Sequence, residues 1–496
     1  MYNVYVTRIK NVRQHPNADR LLLGECFGNT VCVSLEYVDN QLGVYFPSDG
    51  QVSVEFAEAN NLLRKKDADG NNIGGYMDPQ KRNVTAIRLR GEKSDGLFLP
   101  LSSLETFGSI ADLKEGDIVT TFNGQEIARK YFPTRNRSAS PARGNKTRKS
   151  RVNVAPLFME HADTEQLAYN LSAFKNNDLV EITLKMHGTS QRTGYLPVLK
   201  GYHSNYHFWQ KVINSLYGKQ LKPNSFAEKL LNKALNYATP VYDYDYVSGT
   251  RRTILENYEG GYYGSNSFRR AHSKMFEGKL AKGETVYYEV VGFTDTGVPI
   301  MGNGNNNKLG KEFVKQYGKE TVFSYGCHPN GDENHPYTDY EADVWATSSI
   351  YVYRMTMTNP DGFVIEYDPE FMRYRCEQMG VRCVPLLWKG FIPQVEEVET
   401  DIIVENDMGG QEYLLDTAEV DAGEWIREKA EAFYDGTDPI GKTHIREGIV
   451  ARIVNRPKFC AYKHKNYNFK ILEGIIKESA DAPDIEEAEE FKTDGE

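Results

Sequence analysis

The sequence predicts an α+β protein of two unequal parts. An OB-type β-barrel is expected over residues 1–130, and a larger domain of antiparallel sheets with flanking helices over residues 152–480. Three observations predict this. The first 130 residues hold only short alternating segments divided by turn clusters, the pattern of a small closed sheet. The second part combines long apolar strands with helical stretches. Its helices interrupt the strands in blocks instead of alternating with them, which argues for α+β and against a parallel α/β sheet.

In the first part, VYVTRI, TVCVSLEYV, LGVYFP and TAIRLR read as strands, with HPNADR, PSDG and DADGNNIGG as the turns between them. Residues 131–151 have no apolar period and are rich in Ser, Arg, Asn and Pro, so a basic flexible linker is expected there. The segment HADTEQLAYN is expected to start a helix, with Asp163 as cap and Gln166 three residues on. LVEITLKM, TVYYEVVGF, SIYVYRMTM, GFVIEY and EGIVARIV are the clear strands of the second part. Between residues 206 and 238, HFWQKVINSLYG and SFAEKLLNKALNYA place apolar residues at i, i+3 and i+4, which predicts a helical hairpin inserted between strands. Residues 481–496 are expected to be an acidic disordered tail.

At 496 residues, with 40% apolar and 26% charged residues, the chain can bury its cores without disulfide or metal staples. No run reaches the ~18 apolar residues of a membrane span, and the opening MYNVYVTRIKNV lacks a signal-peptide core. The six cysteines, at 26, 32, 327, 376, 383 and 460, form no CxxC pair. That argues against a disulfide framework or a structural zinc and for an intracellular, cytoplasmic setting. The net charge of −10 is unevenly spread: residues 481–496 carry eight acidic residues and one lysine, whereas Arg129 to Arg151 holds nine basic residues and no acidic one. A near-neutral body with a basic strap is compatible with a nucleic-acid partner. No membrane and no protein partner is expected, and the chain reads as a monomer.

The sharpest chemical signal is Leu184-Lys185-Met186-His187-Gly188-Thr189-Ser190. A lysine at the end of a strand, followed by a turn with glycine, can present its amine into a cleft. Such an amine attacks phosphorus only when neutral, so it needs desolvation or neighbouring cations. Downstream come Val286-Tyr287-Tyr288-Glu289-Val290-Val291-Gly292, Ile350-Tyr351-Val352-Tyr353-Arg354, Arg446-Glu447-Gly448-Ile449-Val450-Ala451-Arg452 and Tyr462-Lys463-His464-Lys465. This ordered set resembles motifs I, III, IIIa, IV and V of the covalent nucleotidyltransferases, the superfamily of ATP-dependent ligases and mRNA-capping enzymes, over roughly residues 152–476. The KxHGT form of the first motif, and a β-barrel placed before the nucleotidyltransferase domain, make the chain similar to the Deinococcus/Naegleria-type RNA ligases. HPNADRL, GVYFPSDGQ and RLRGEKSDGLFLPL add to that likeness. DNA ligases and capping enzymes usually carry KxDG and an OB domain after the catalytic domain; the residues after Lys465 are too few for one.

The resemblance implies an ATP-dependent RNA ligase that works with ATP and Mg²⁺ (or Mn²⁺) on RNA or an RNA-containing nicked duplex. Lys185 would take AMP from ATP. Glu289 and Glu447 would serve the metal and the sugar, and Lys463 and Lys465 the phosphate. Alternation along a strand puts both of these lysines on one face, where their charge would also favour a neutral Lys185. Tyr353 would stack on the adenine, with Tyr351 as the alternative because Arg354 departs from the aspartate of some relatives. Arg252, with Arg251 beside it, is a candidate for phosphate contact, and His187 for a strand-end hydrogen bond. Asp163 and Thr164 would help cap the nucleotide pocket. The GNGNNN stretch at 302–307 lacks the lysine–serine pair of a phosphate loop, and Cys327, His328 and His335 lack a second cysteine nearby. The alternatives are a DNA ligase, a GTP-dependent capping guanylyltransferase, and a catalytically inactive nucleic-acid-binding protein.

Overall fold

The computed structural model describes residues 2–66, 72–131, 153–161, 164–255, 258, 266–405 and 411–479. The expected tail, Asp163 and all but the first residue of the expected linker lie outside these residues.

Strand alternation is strongest at Tyr5–Arg8, Leu42–Phe46 and Leu97–Pro100, and these pair into one three-stranded antiparallel sheet. Val6, Val44 and Phe46 point to a core in which all three are fully buried, each side chain contributing about 1.5–3 kcal/mol by leaving water. Two further three-stranded sheets flank this one. The first joins Lys10–Gln14, Leu22–Cys26 and Asn29–Val33; the second joins Gly50–Val52, Asn83–Val84 and Ala128–Lys130. The expected strands are therefore present, but the described strands form separate small sheets and not one closed barrel. The turn HPNADR is tied to the hairpin around Leu89: His15 Nε2 lies 3.1 Å from the Leu89 carbonyl, and Asn17 donates to the Arg90 carbonyl at 3.0 Å.

The second part is built on two five-stranded sheets. One runs Glu165–Gln166, Cys460–Lys465, Gly448–Ile453, Leu179–Lys185, Leu386–Phe391. The other runs Thr239–Gly249, Thr189–His203, Glu284–Gly292, Ser348–Thr358, Val364–Glu366. All pairs are antiparallel except the first, which is parallel. The first sheet turns Val180, Ile182 and Ile449 onto the helix Ala422–Tyr434, through its Ile426 and Ala430. On the second sheet, Val286, Tyr288 and Val352 pack against Met372, Cys376 and Met379 of the helix Pro369–Met379. That helix is specified at both ends, by the Asp368 cap with Pro369 in its first turn and by the left-handed Gly380 after it.

The helical hairpin is present as His207–Leu216 and Phe226–Leu235. The described residues of HADTEQLAYN do not form the expected helix. Glu165 and Gln166 pair instead with Tyr462 and Lys463 at the sheet edge, and Leu167–Tyr169 follow as a single 3₁₀ turn. Here the open edge of the sheet, with its unpaired backbone groups, outcompetes the capping-box signal. No described helix is long and apolar enough to cross a membrane.

The two parts are docked. Tyr467 is buried, its hydroxyl accepts from the Ser94 N–H at 3.3 Å and donates to the Ile87 carbonyl, and Lys470 pairs with Asp95 at 2.5 Å. Ala86 joins the same buried cluster as Leu184 and Met186, the two neighbours of Lys185. On a second front, Tyr169 packs on Tyr5, Phe27 and Tyr45 with ring centroids 4.8–6.4 Å apart.

Candidate active site

Register places the charged residues. Lys185 is the last residue of its strand and lies opposite Gly448, which in turn lies opposite Lys465. One row further in, Thr183, Val450 and Lys463 align; beyond that come Glu181, Arg452 and Ala461. Because alternate residues share a face, all nine positions project to the same side of the sheet. Gly448 is required in this row: its φ is +147°, and a Cβ there would stand 2.1 Å from the His464 carbonyl oxygen.

The carboxylate of Glu447, just before that strand, is the hub. Its Oε1 lies 2.6 Å from Lys185 Nζ and 3.7 Å from Lys465 Nζ, and its Oε2 is 3.7 Å from His187 Nδ1. Its side chain is only 3% exposed. Burial alone would raise its pKa, but the charge of Lys185, the His187 contact and Lys465 outweigh it and bring the carboxyl down to about 2. Lys465 is also held by Glu473 at 2.7 Å. The crowding of cations is felt at Lys463: burial first, then the charges of Lys465, Lys185, Lys130 and Arg251, bring its amine down to about 7. The backbone N–H of His187 donates to the Tyr325 hydroxyl at 2.6 Å, while its buried ring sits edge-on to Phe323 and Phe469 at 4.7 Å each, its Nε2 without a hydrogen-bond partner among the described residues.

The opposite wall comes from the second sheet. Gly188 lets the chain turn from one sheet to the other at close quarters, since a Cβ there would lie 2.4 Å from the Val290 carbonyl oxygen and 2.9 Å from Glu289 Cγ. Lys185, Glu289 and Tyr353 line a single cavity between the sheets, together with Thr164, Arg251 and Arg452. Tyr353 shares a 2.7 Å hydrogen bond with Ser190 Oγ. Tyr351 is buried in the core beside Tyr337, so of the two tyrosines it is Tyr353 that lines the cavity, with Phe459 as a further ring there. Arg252 is exposed and stands outside the cavity lining; its neighbour Arg251 is the arginine that reaches it.

Several lining residues escape a reading of the sequence. His161 packs edge-on to Tyr353 at 5.1 Å, and its Nδ1 lies 3.2 Å from Arg354 Nη1. Burial, then the charges of Arg354, Arg251 and Arg192, hold the imidazole well below its usual pKa, so it is neutral and can accept from Arg354. Arg354 is itself fixed by Glu366 at 3.0 Å and lies over the rings of Tyr287 and Phe459. Glu181, at the cavity floor, is clamped by Arg373 at 2.7 and 3.0 Å. These partners are separated by up to 193 positions in the chain; no local pattern marks them. The alternation of LVEITLK could have signalled Glu181, as a charge on the same strand face as Lys185.

For a divalent ion, Glu447 offers Oε2, a buried oxygen with no hydrogen-bond partner among the described residues. Among those residues no three His, Cys, Asp or Glu side chains converge as an all-protein cage. This donor set fits an ion that keeps most of its waters, as Mg²⁺ does.

No protein-family model matches the chain, and no curated protein matches it. Among solved structures it is similar to an apo variant of Naegleria gruberi RNA ligase, with a TM-score of 0.50 and 16% identity, covering 94% of this chain and 97% of that one. The same ligase with PPi gives 0.49 and 16% over 93% and 96%, and a variant with ATP and Mn gives 0.49 and 14% over 94% and 98%. The first of these likenesses establishes a shared fold, that of an RNA ligase, over nearly the whole length of both chains.

Proposed function

We propose that the protein is an ATP-dependent RNA ligase that joins 5′-phosphate and 3′-hydroxyl RNA ends at nicks, where a duplex holds the two ends together. One observation carries this reading. Lys185, Lys463 and Lys465 lie in register on one sheet face, Lys185 and Lys465 beside the buried Glu447, and Lys185 lines a cavity whose far wall offers Glu289 and Tyr353. Phosphoryl transfer is catalysed mainly by positioning and charge neutralisation, and this arrangement supplies both.

In the first step Lys185 gives its proton to solvent water, leaves its Glu447 partner, and its neutral amine attacks the α-phosphorus of ATP. An N–P bond forms, the bond to pyrophosphate breaks, and AMP stays on Lys185. Lys463 and Lys465 bear on the phosphates, Tyr353 stacks on the base, and Glu289 holds the nucleoside. Glu447 and Glu289 would hold Mg²⁺ or Mn²⁺, which when bound supplies further positive charge to the phosphates. AMP then passes to an RNA 5′-phosphate, and the 3′-hydroxyl displaces it to close the strand. We read residues 1–130 as an OB-type module that grips the RNA backbone, 131–151 as the linker, 152–480 as the adenylyltransferase domain, and 481–496 as the tail.

The test is sealing of matched nicks, with RNA or DNA on the 3′-hydroxyl side. ATP-dependent sealing with a preference for ribonucleotide ends is expected, since a 2′-hydroxyl contact can make that distinction. Equal sealing of an all-DNA nick would favour a DNA ligase, and use of GTP alone a capping enzyme.

A further inference from the structure

The hairpin between Ser204 and Val241 takes no part in the site described above. The strand Thr189–His203 pairs with Glu284–Gly292 only as far as Gly194, yet it continues with Thr239–Gly249 to its last residue. Residues 195–203 thus continue as a two-stranded ribbon, ~30 Å long at ~3.3 Å per residue, whose first part packs on residues 154–158 through Leu196 and a hydrogen bond from the Leu199 N–H to the Val154 carbonyl at 2.8 Å. The two helices stand at its end.

Their surface combines two features. Between Ser204 and Val241 there are five lysines and a single acidic residue, Glu228, in a chain of net charge −10. Glu228 is engaged in local structure: its carboxylate accepts from the Asn224 N–H, and its own N–H donates to Ser225 Oγ at 3.2 Å, a reciprocal cap on the second helix. All five lysines are exposed. Aromatic rings are exposed beside them. Phe226 is 80% exposed, and Tyr206 and Phe208 are each 63% exposed. At the base of the hairpin Phe208, Trp209 and Tyr237 form a ladder, with Trp209 and Tyr237 parallel to within 1° at 5.4 Å and Lys233 5.8 Å from the Trp209 ring. The hairpin's own core needs few of these rings, since Ile213 and Ala234 are its only fully buried apolar residues among those described.

We propose that this hairpin is a second docking surface whose occupant is single-stranded RNA, held by lysines on its phosphates and by the exposed rings on its bases. The proposal rests on the ligase reading for its substrate class and adds to it an arm that grips RNA away from the reacting ends. Lysines interleaved with solvent-facing aromatics suit a polyanion with exposed bases, the combination by which single strands are bound without sequence preference. An acidic peptide would use the lysines but leave the rings unexplained.

The experiment uses the full-length protein and two variants that touch only exposed residues: Phe208→Ala/Phe226→Ala, and Lys219→Ala/Lys222→Ala in the turn between the helices. Each is titrated with a labelled single-stranded RNA oligonucleotide over a range of salt concentrations, and with vesicles of anionic lipid in parallel. The ring variant is expected to bind RNA on the order of tenfold more weakly. The lysine variant is expected to reduce the slope of log affinity against log salt by up to ~1.4, which is ~0.7 for each phosphate left without its lysine. Adenylylation of Lys185 should stay within twofold of the parent. Unchanged RNA affinity and salt slope in both variants would overturn the proposal, as would a loss confined to vesicle binding. A parent that binds RNA through the hairpin but is not adenylylated would count against the ligase reading alone.

Discussion

Glu447 and Lys463 are the two residues at which the cost of building the site is concentrated. Glu447 is buried yet held ionised, its pKa brought from 4.5 to about 2 by Lys185 and its neighbours. Its folded-state value is depressed, so its contribution to stability is present above about pH 4.5 and is lost as pH falls toward 2. Lys463 runs the other way. With its pKa lowered from 10.5 to about 7, the penalty for burying its charge is fully present below pH 7 and is relieved as pH rises toward 10.5. ATP phosphates favour the charged form, so ATP binding above pH 7 should take up a proton and weaken as pH rises. Calorimetric titration in buffers of different ionisation enthalpy reads that uptake. Lys463→Gln should abolish it, and uptake unchanged in the variant would remove Lys463 from the phosphate site. In single-turnover adenylylation, Glu447→Ala and Lys463→Ala should each lose about a hundredfold in rate, the ~3 kcal/mol typical of a charge aimed at a reacting phosphate. Rates within twofold of the parent would mean that neither charge acts on the reacting phosphate.

Among the strands and turns, the site depends on two glycines that bring backbones together, Gly188 and Gly448. Gly448→Ala would drive a Cβ against the His464 carbonyl in the middle of the Lys185–Gly448–Lys465 row. A loss of about 1–3 kcal/mol in stability, as for other overpacked positions, and a larger fall in adenylylation are expected; thermal unfolding beside a rate measurement checks both. The strands that carry or adjoin Lys185, Glu289, Tyr353 and Glu447 are legible in the sequence because each is an apolar run long enough to outweigh its surroundings, whereas the Lys463 strand, CAYKHK, has no such run. The helical hairpin is legible for the same reason at a period of 3.6. What escapes the sequence is equally physical. HADTEQ carries a helix-start signal, but the backbone of its Glu165 and Gln166 is claimed by the edge of a sheet whose partner strand lies nearly 300 positions later. Arg251 and Arg252 are adjacent, and only the path of the chain decides which one faces the cavity. His161, Arg354 and Glu366 form a cluster across the chain that no spacing rule could reveal.

Across the full chain, the N-terminal part acts as a buttress of the Lys185 turn. Ala86 packs beside Leu184 and Met186, Tyr467 bonds Ser94 and Ile87, and Lys130 adds its charge to the field on Lys463. Tyr467→Ala should therefore lower the unfolding temperature and slow adenylylation although Tyr467 lies outside the cavity; truncating a buried aromatic typically costs about 3–5 kcal/mol. Unchanged melting and activity would mean that the two parts work independently. The proposed chemistry stands or falls on whether this fold brings three lysines and a buried carboxylate together so that one of them, Lys185, can carry AMP. Incubation with ATP labelled at the α-phosphate, followed by peptide mapping of the labelled protein, decides it. Release of pyrophosphate, AMP on Lys185 in an acid-labile bond, and no label on a Lys185→Ala protein that remains folded are expected. Label on another residue, or equal labelling of Lys185→Ala, would contradict it.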